Sequence, residues 1–398
     1  MRCSSVRGWL FLVAVIPGAA AFAAPVEKRP TGPWNVEALK TPPHATWGKE
    51  SGQIREVHYD GESFDGKPTR VFAYYGRPKG PGPFPGMVLV HGGGGKAFRE
   101  WVQLWVDRGY AALAMDLAGH GADGKRLEDG GPEQSHPAKF RPFTEAEVGQ
   151  MWTYHAVAAV IRGHSLLASR PEVDASRIGI TGISWGGYLT CIVAGLDDRL
   201  KVAVPVYGCG FLNDNSAWLS EFKAMSPEQR DRWIALFDPS KYLGGVRCPI
   251  LFVNGTNDFA YPLDSYRKSY RLVPTPIDLC VTVKMPHGHP QGWAPREIGL
   301  FVDSVLKGEK PLSRLATPKV ADGVGAAAID RRAQLVEAKL VYSTDQGEWS
   351  KREWQTIDAS LSPETVSGRL PDKRPLVFFL QVKDDRGAVS SSPHVELD

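Results

Sequence analysis

The sequence predicts an α/β fold, a mostly parallel sheet with helices on both faces, plus a small C-terminal β-sandwich. Two observations carry this. From residue 86 onward, short apolar runs ("GMVLV", "YAALAMD", "RIGITGI", "KVAVPVYG", "PILFVNG", "IDLCVTVKMP") alternate with helical stretches. Such alternation builds a parallel sheet covered on both sides. After Lys310 the helical stretches stop, and "AQLVEAKLVYS", "KREWQTIDAS", "ETVSGRL", "PLVFFLQVKDD" and "SSPHVELD" follow as short strands separated by turns. That spacing is the pattern of a sandwich.

The elements follow in order. Arg2 and Arg7 precede the apolar run "GWLFLVAVIPGAAAF", and small residues come next. This layout predicts a signal peptide over residues 1–24, cleaved after Ala23 or Ala24, and hence a secreted or periplasmic protein. Pro17 breaks the run too early for a membrane span. Residues 25–50 are Pro-rich and without periodicity, an expected extended lead-in to a catalytic domain over 25–310. "QIREVHYDG" and "TRVFAYYGRP" alternate around a turn-rich spacer and predict an antiparallel hairpin. "FREWVQLWVDRG" is helical, with Phe98, Trp101, Leu104 and Trp105 on one face. Residues 145–170 predict one long helix, and "REIGLFVDSVLKG" closes the domain as another. "TPKVADGVGAAA" is small and flexible, so 311–325 is expected to be a linker and 326–398 the sandwich.

Composition narrows the function classes. The chain has 398 residues, 23% charged, with a formal net charge of +3. No block of like charge stands out, which argues against nucleic-acid or membrane-surface partners. Cys3 leaves with the signal peptide. Cys191, Cys209, Cys248 and Cys280 sit in or beside apolar runs and are expected to be mostly unbridged thiols in the core. No C-x-x-C occurs, so a zinc or redox motif has no support. The sequence gives no oligomeric state.

Chemistry concentrates at "RIGITGISWGGYLT". A buried strand ends at Gly182, and a helix begins just after Gly186. A turn that sharp crowds its neighbours, so glycine is needed two residues before and after Ser184. The hydroxyl is then lifted above the sheet at the positive end of the helix. A nucleophilic serine needs donors for an oxyanion. "VLVHGGGGKAF" supplies Gly93 and Gly94, with the Trp185 N–H as the second arm. A phosphate loop fails as a reading, because Lys96 is followed by Ala97. His91 is expected to brace this loop.

The serine also needs a base and an acid to orient it. Asp258 directly follows the strand "PILFVNG", while Asp264 reads better as a helix N-cap. "KMPHGHPQGW" offers His287 and His289; either could reach, and His289 is preferred on loop position. The H-x-H pair lacks further ligands nearby, so no metal and no cofactor is expected. Between the strands near Gly208 and Pro249 lies an insertion carrying Trp218, Phe222, Trp233 and Phe237. Such insertions cap pockets or simply pack on the sheet; in the first case Trp218 and Trp233 contact substrate.

Taken together, "HGGGG", "RPEVDASRIGITGISWGGYLT", "NGTNDFAYP" and "PHGHP" resemble the α/β-hydrolase superfamily over roughly residues 50–310. The closest likeness is to the branch of dienelactone hydrolases, acetyl xylan and cephalosporin-deacetylating esterases, and prolyl-oligopeptidase-type domains. The resemblance implies Ser184 as nucleophile in a G-x-S-x-G-G turn, Asp258 as the acid of a G-x-x-D-x-x-x-P segment, and His289 as the His of a Gly-His pair. It differs at Trp185, where the deacetylases commonly carry Gln, and in its C-terminal sandwich.

The resemblance implies a secreted serine esterase acting through an acyl-enzyme on a small-molecule or polysaccharide ester, such as an acetylated plant polysaccharide. One alternative is a peptidase of the oligopeptidase type, although too little chain precedes "GMVLVHGG" for a propeller. Another is a non-catalytic glycan binder using Trp349 and Trp354; those two rings are better suited to the sandwich core.

Overall fold

The computed structural model describes residues 30–398, so the expected signal peptide lies outside the described residues. A nine-stranded sheet forms the centre. Its strands are β1 (Ala45–Ser51), β2 (Ile54–Asp60), β3 (Arg70–Gly76), β4 (Phe84–Val90) and β5 (Ala111–Met115), followed by β6 (Val173–Ile183), β7 (Val202–Val206), β8 (Ile250–Gly255) and β9 (Ile277–Thr282). They lie in the order β1-β2-β3-β5-β4-β6-β7-β8-β9. From β5 to β9 all pairings are parallel; β1, β2 and β3 add on antiparallel. Every residue of β5, β7 and β8 is buried, as strands covered on both faces require.

Three expectations are corrected. The lead-in before residue 50 contains the edge strand β1 and a short helix, Val36–Leu39. Most of β1 is exposed, so it carries no apolar alternation to read. The helix expected over 145–170 is two elements. A 3₁₀ turn, Glu145–Gln150, opens with a Thr144–Glu147 capping box, and the α-helix Trp152–Ala168 follows. The expected linker 311–325 is not a bare connection: β10 (Arg314–Leu315) and β11 (Lys319–Ala321) both pair with β12 (Val324–Asp330).

The C-terminal unit continues with β13 (Leu335–Ser343), β14 (Gln355–Asp358), β15 (Ser360–Leu361), β16 (Thr365–Arg369), β17 (Leu376–Asp384), β18 (Val389–Ser391) and β19 (Val395–Leu397). Two five-stranded antiparallel sheets result. Ala327, Ile329 and Val366 from one sheet pack with Leu340, Phe378 and Leu380 from the other in one apolar cluster, which makes the unit a sandwich. A second cluster crosses the domain boundary. Leu263 and Val281 of the α/β unit pack with Val341, Trp349, Trp354, Val377 and Phe379. Trp349 and Trp354 are 6% and 7% exposed, which leaves no ring face open for a glycan.

Cys191, Cys209, Cys248 and Cys280 are buried thiols. Among the described residues no helix is long and apolar enough to cross a membrane.

Candidate active site

Ser184 sits at the carboxyl end of β6, as the residue that caps the helix Trp185–Leu196. Its backbone has φ 58° and ψ −118°, a conformation that is sterically costly for any residue with a Cβ. The neighbouring glycines are forced by contact. A Cβ on Gly182 would lie 2.2 Å from Gly186 O, and one on Gly186 would lie 1.9 Å from Val90 O. The turn is therefore clamped between β4 and the helix, and only glycine fits on either side of the serine. Helix geometry leaves the Trp185 N–H without an intrahelical partner, so it remains available beside the serine.

Asp258 follows β8, is 2% exposed, and has both oxygens engaged. Oδ1 accepts from Ala260 N–H at 2.9 Å and Tyr261 N–H at 2.7 Å. Oδ2 accepts from His287 Nδ1 at 2.6 Å. The expected pairing of Asp258 with His289 is thus corrected: the partner is His287. With its proton on Nδ1, His287 keeps Nε2 as an acceptor. Tyr207, the residue after β7, fixes this imidazole from the side. Its ring stacks on His287 at 4.4 Å and 26°, and its hydroxyl donates to Pro286 O at 2.7 Å. Tyr207 has φ 64°, a second strained residue at the same sheet edge. The Ser184 N–H donates to Val206 O at 2.8 Å, so serine turn and histidine clamp share one strand end.

His289 opens the short helix His289–Trp293, with a proline in its first turn. That turn carries its ring to the Gly-rich loop. Gly92 N–H donates to His289 Nε2 at 2.9 Å, and Phe98 packs on the ring at 4.7 Å. Burial, with smaller contributions from His91 and His287, pulls its pKa down to about 4, so the ring is a neutral acceptor. His91 braces the same loop. Its Nε2 accepts from Leu117 N–H at 2.8 Å and its Nδ1 donates to Gly92 O at 2.7 Å. Burial lowers the pKa of His91 too. Gly94 takes φ +66°, the left-handed bend that turns the loop. A Cβ on Gly93 would stand 3.1 Å from Trp185 Cδ1, so the loop carrying Gly93 and Gly94, two of the three expected oxyanion donors, packs against the side chain of the third, Trp185.

Aromatic rings line the far side of Trp185. Trp218 lies 4.5 Å from it, Trp152 5.7 Å and Phe140 5.9 Å. Trp218 is 7% exposed and Trp233 has no exposed surface. Trp233 donates from Nε1 to Lys139 O at 2.8 Å and packs on Phe140 and Phe222. Its burial leaves no face for substrate, which corrects its expected contact role. Lys139 is buried among these rings, its Nζ 4.9 Å from the Trp185 ring and 5.2 Å from Trp152. Burial pulls its pKa down to about 8.

Sequence reading offered both histidines and preferred His289 where Asp258 bonds His287, and it missed Tyr207, Lys139 and Phe259. Phe259 is 59% exposed with its ring 5.0 Å from His287. Two signals were present. Pro290 marks a helix start at His289, and Tyr207 stands where a buried strand reaches the edge that carries Ser184. Among the described residues, no three His, Cys, Asp or Glu side chains are grouped as a metal requires.

Comparison with known proteins agrees with this architecture. An acetyl esterase (Axe7A) of Xylanibacter ruminicola is 23% identical over 235 residues, covering 53% of this chain and 51% of its own. The chain thus spans about half the length of that curated relative. The structure of an acetyl xylan esterase from Paenibacillus sp. R4 is 25% identical, with TM-score 0.56 over 68% of this chain and 92% of that one. An acylaminoacyl peptidase of Pyrococcus horikoshii, 20% identical with TM-score 0.50 over 66% of this chain and 44% of its own, shares the fold. The α/β-hydrolase sheet, the serine turn at its edge and a match over residues 71–271, half of the sequence, lead to one assignment: the chain belongs to the dienelactone hydrolase family.

Proposed function

We propose that this protein is a serine hydrolase that cleaves carboxylic esters through an acyl-enzyme. The observation that carries the reading is the 2.6 Å bond from His287 Nδ1 to Asp258 Oδ2, at the same strand end that holds Ser184 at φ 58°. Ser184 Oγ attacks the ester carbonyl carbon as its proton passes to His287 Nε2. Gly93, Gly94 and Trp185 N–H groups bind the oxyanion. The C–O bond to the alcohol then breaks, and the alkoxide takes the proton from His287. Water, deprotonated by the same imidazole, attacks the acyl-serine and releases the acid. Asp258 holds the ring and stabilises the imidazolium. His289 serves the loop and not the proton transfer, because its Nε2 is occupied by Gly92 N–H.

The substrate proposed is an acetyl or related small acyl ester on a plant polysaccharide, met outside the cytoplasm. The acetyl esterase and acetyl xylan esterase relatives and the expected signal peptide support it. A fluorophosphonate should label Ser184 alone, and acetylated xylan fragments should lose acetate. Faster turnover of aminoacyl anilides than of acetyl esters would replace the esterase reading with a peptidase one. A probe adduct on another serine would remove both.

A further inference from the structure

The geometry points to a task for the C-terminal sandwich: it positions the acid and base loops of the triad, and Asn257 is the positioning residue that couples it to Asp258. The inference rests on the assignment of Asp258 and His287 proposed above.

Asn257 immediately precedes Asp258, yet its side chain belongs to the other domain. Its Nδ2 donates to Arg352 O at 2.7 Å and to Ser350 O at 3.1 Å, both in the turn around Trp349–Lys351. Its Oδ1 accepts from Thr256 Oγ1 at 2.7 Å, which fixes the amide orientation. Thr256 Oγ1 in turn accepts from Lys284 N–H at 2.9 Å. Lys284 has φ 51° and begins the turn that carries His287. One short network therefore joins the sandwich to the residue before the acid and to the start of the base loop.

The sandwich turn is itself rigid. Trp349 and Trp354 stack at 27° in the apolar cluster shared with Leu263 and Val281, and the Arg352 guanidinium lies 3.8 Å over the Trp349 ring. On β9, the strand leading into the base loop, Val281 N–H donates to Ser391 Oγ at 3.0 Å and Val281 O accepts from Gln381 Nε2 at 2.6 Å. A strand that would otherwise end the sheet with open backbone groups is thus fixed by sandwich side chains. Both loops carrying the Asp258–His287 pair are held from outside the domain that contains the serine. Catalysis is sensitive to placement on the scale of an ångström, so such a hold acts on turnover and not only on stability.

The test uses the full chain with Asn257→Ala, Asn257→Ser and, as a contrast at the same interface, Glu353→Gln. Glu353 makes an exposed ion pair with Lys284, and such pairs contribute little. In the Asn257 variants kcat should fall by about tenfold, the scale of a sub-ångström displacement, with KM unchanged. The far-downfield proton resonance of the short His287–Asp258 hydrogen bond should broaden or vanish. Glu353→Gln should leave both unchanged. Unchanged kcat and an intact resonance in the Asn257 variants would overturn the inference. So would loss of the folded state in both, since Asn257 would then be purely structural. A wild-type chain that takes no fluorophosphonate at Ser184 would instead defeat the assignment on which it rests.

Discussion

Asp258 selects His287, not His289, through a 2.6 Å bond to Nδ1. The two histidines are only two residues apart, yet they face different tasks. One is oriented by a carboxylate; the other accepts a backbone N–H from the Gly-rich loop.

His287→Ala should therefore reduce ester turnover by about a thousandfold, the scale of losing a general base. His289→Ala should cost about tenfold through a misplaced loop. His289→Gln, whose amide oxygen can accept from Gly92, should recover most of that loss. Steady-state kinetics on an acetyl ester check the order. A larger loss at His289 than at His287 would reverse the roles.

Acid should act on His289 through stability. Its pKa is about 4 in the fold against 6.5 when unperturbed, so between those values the unfolded chain binds the extra proton. Its contribution is present above pH 6.5 and is lost as the pH falls toward about 4. Denaturant midpoints of wild type and His289→Gln should accordingly converge on going from pH 7.5 to pH 4.5, in a titration tied to the 6.5 and 4 values. A constant gap would refute the neutral-acceptor role.

Ser184→Ala and Ser184→Gly should both abolish turnover, but they should differ in stability. Alanine keeps a Cβ at φ 58°, whereas glycine adopts that conformation freely. The glycine variant should be the more stable by about 1 kcal/mol, measured by urea unfolding.

Lys139 is a buried ammonium among tryptophan rings, with Gln134 O as a hydrogen-bond partner at 3.0 Å. Its pKa falls from 10.5 to about 8, so charge costs the fold below pH 8, and stability rises as pH climbs from 8 to 10.5. Lys139→Met should thus be at least as stable as wild type at neutral pH, with its advantage shrinking toward pH 10. Urea midpoints across that range decide it.

The legible parts of the sequence are those where burial writes a pattern. The runs that became β4 through β9 are apolar because both faces are covered, and Gly182 and Gly186 mark the turn around Ser184 because nothing larger fits at either glycine. What escaped reading lacks such a pattern. β1 is mostly exposed, and β10 and β11 are strands of only two and three residues, too short to show an alternation. The choice between His287 and His289 depends on which way a loop turns before the helix His289–Trp293, and spacing alone does not encode direction. Trp233 is aromatic in an insertion, as a sugar contact would be, but it is consumed by packing against Phe140 and Phe222.

The apolar cluster shared by Leu263, Val281, Trp354 and Phe379 bears on how this chain can be handled. A recombinant fragment that stopped after the helix Arg296–Leu306 would leave β9 as a bare sheet margin with greasy side chains facing water. Two such fragments would then add strand to strand, so trimming to the catalytic half invites self-association that the sandwich blocks at this edge.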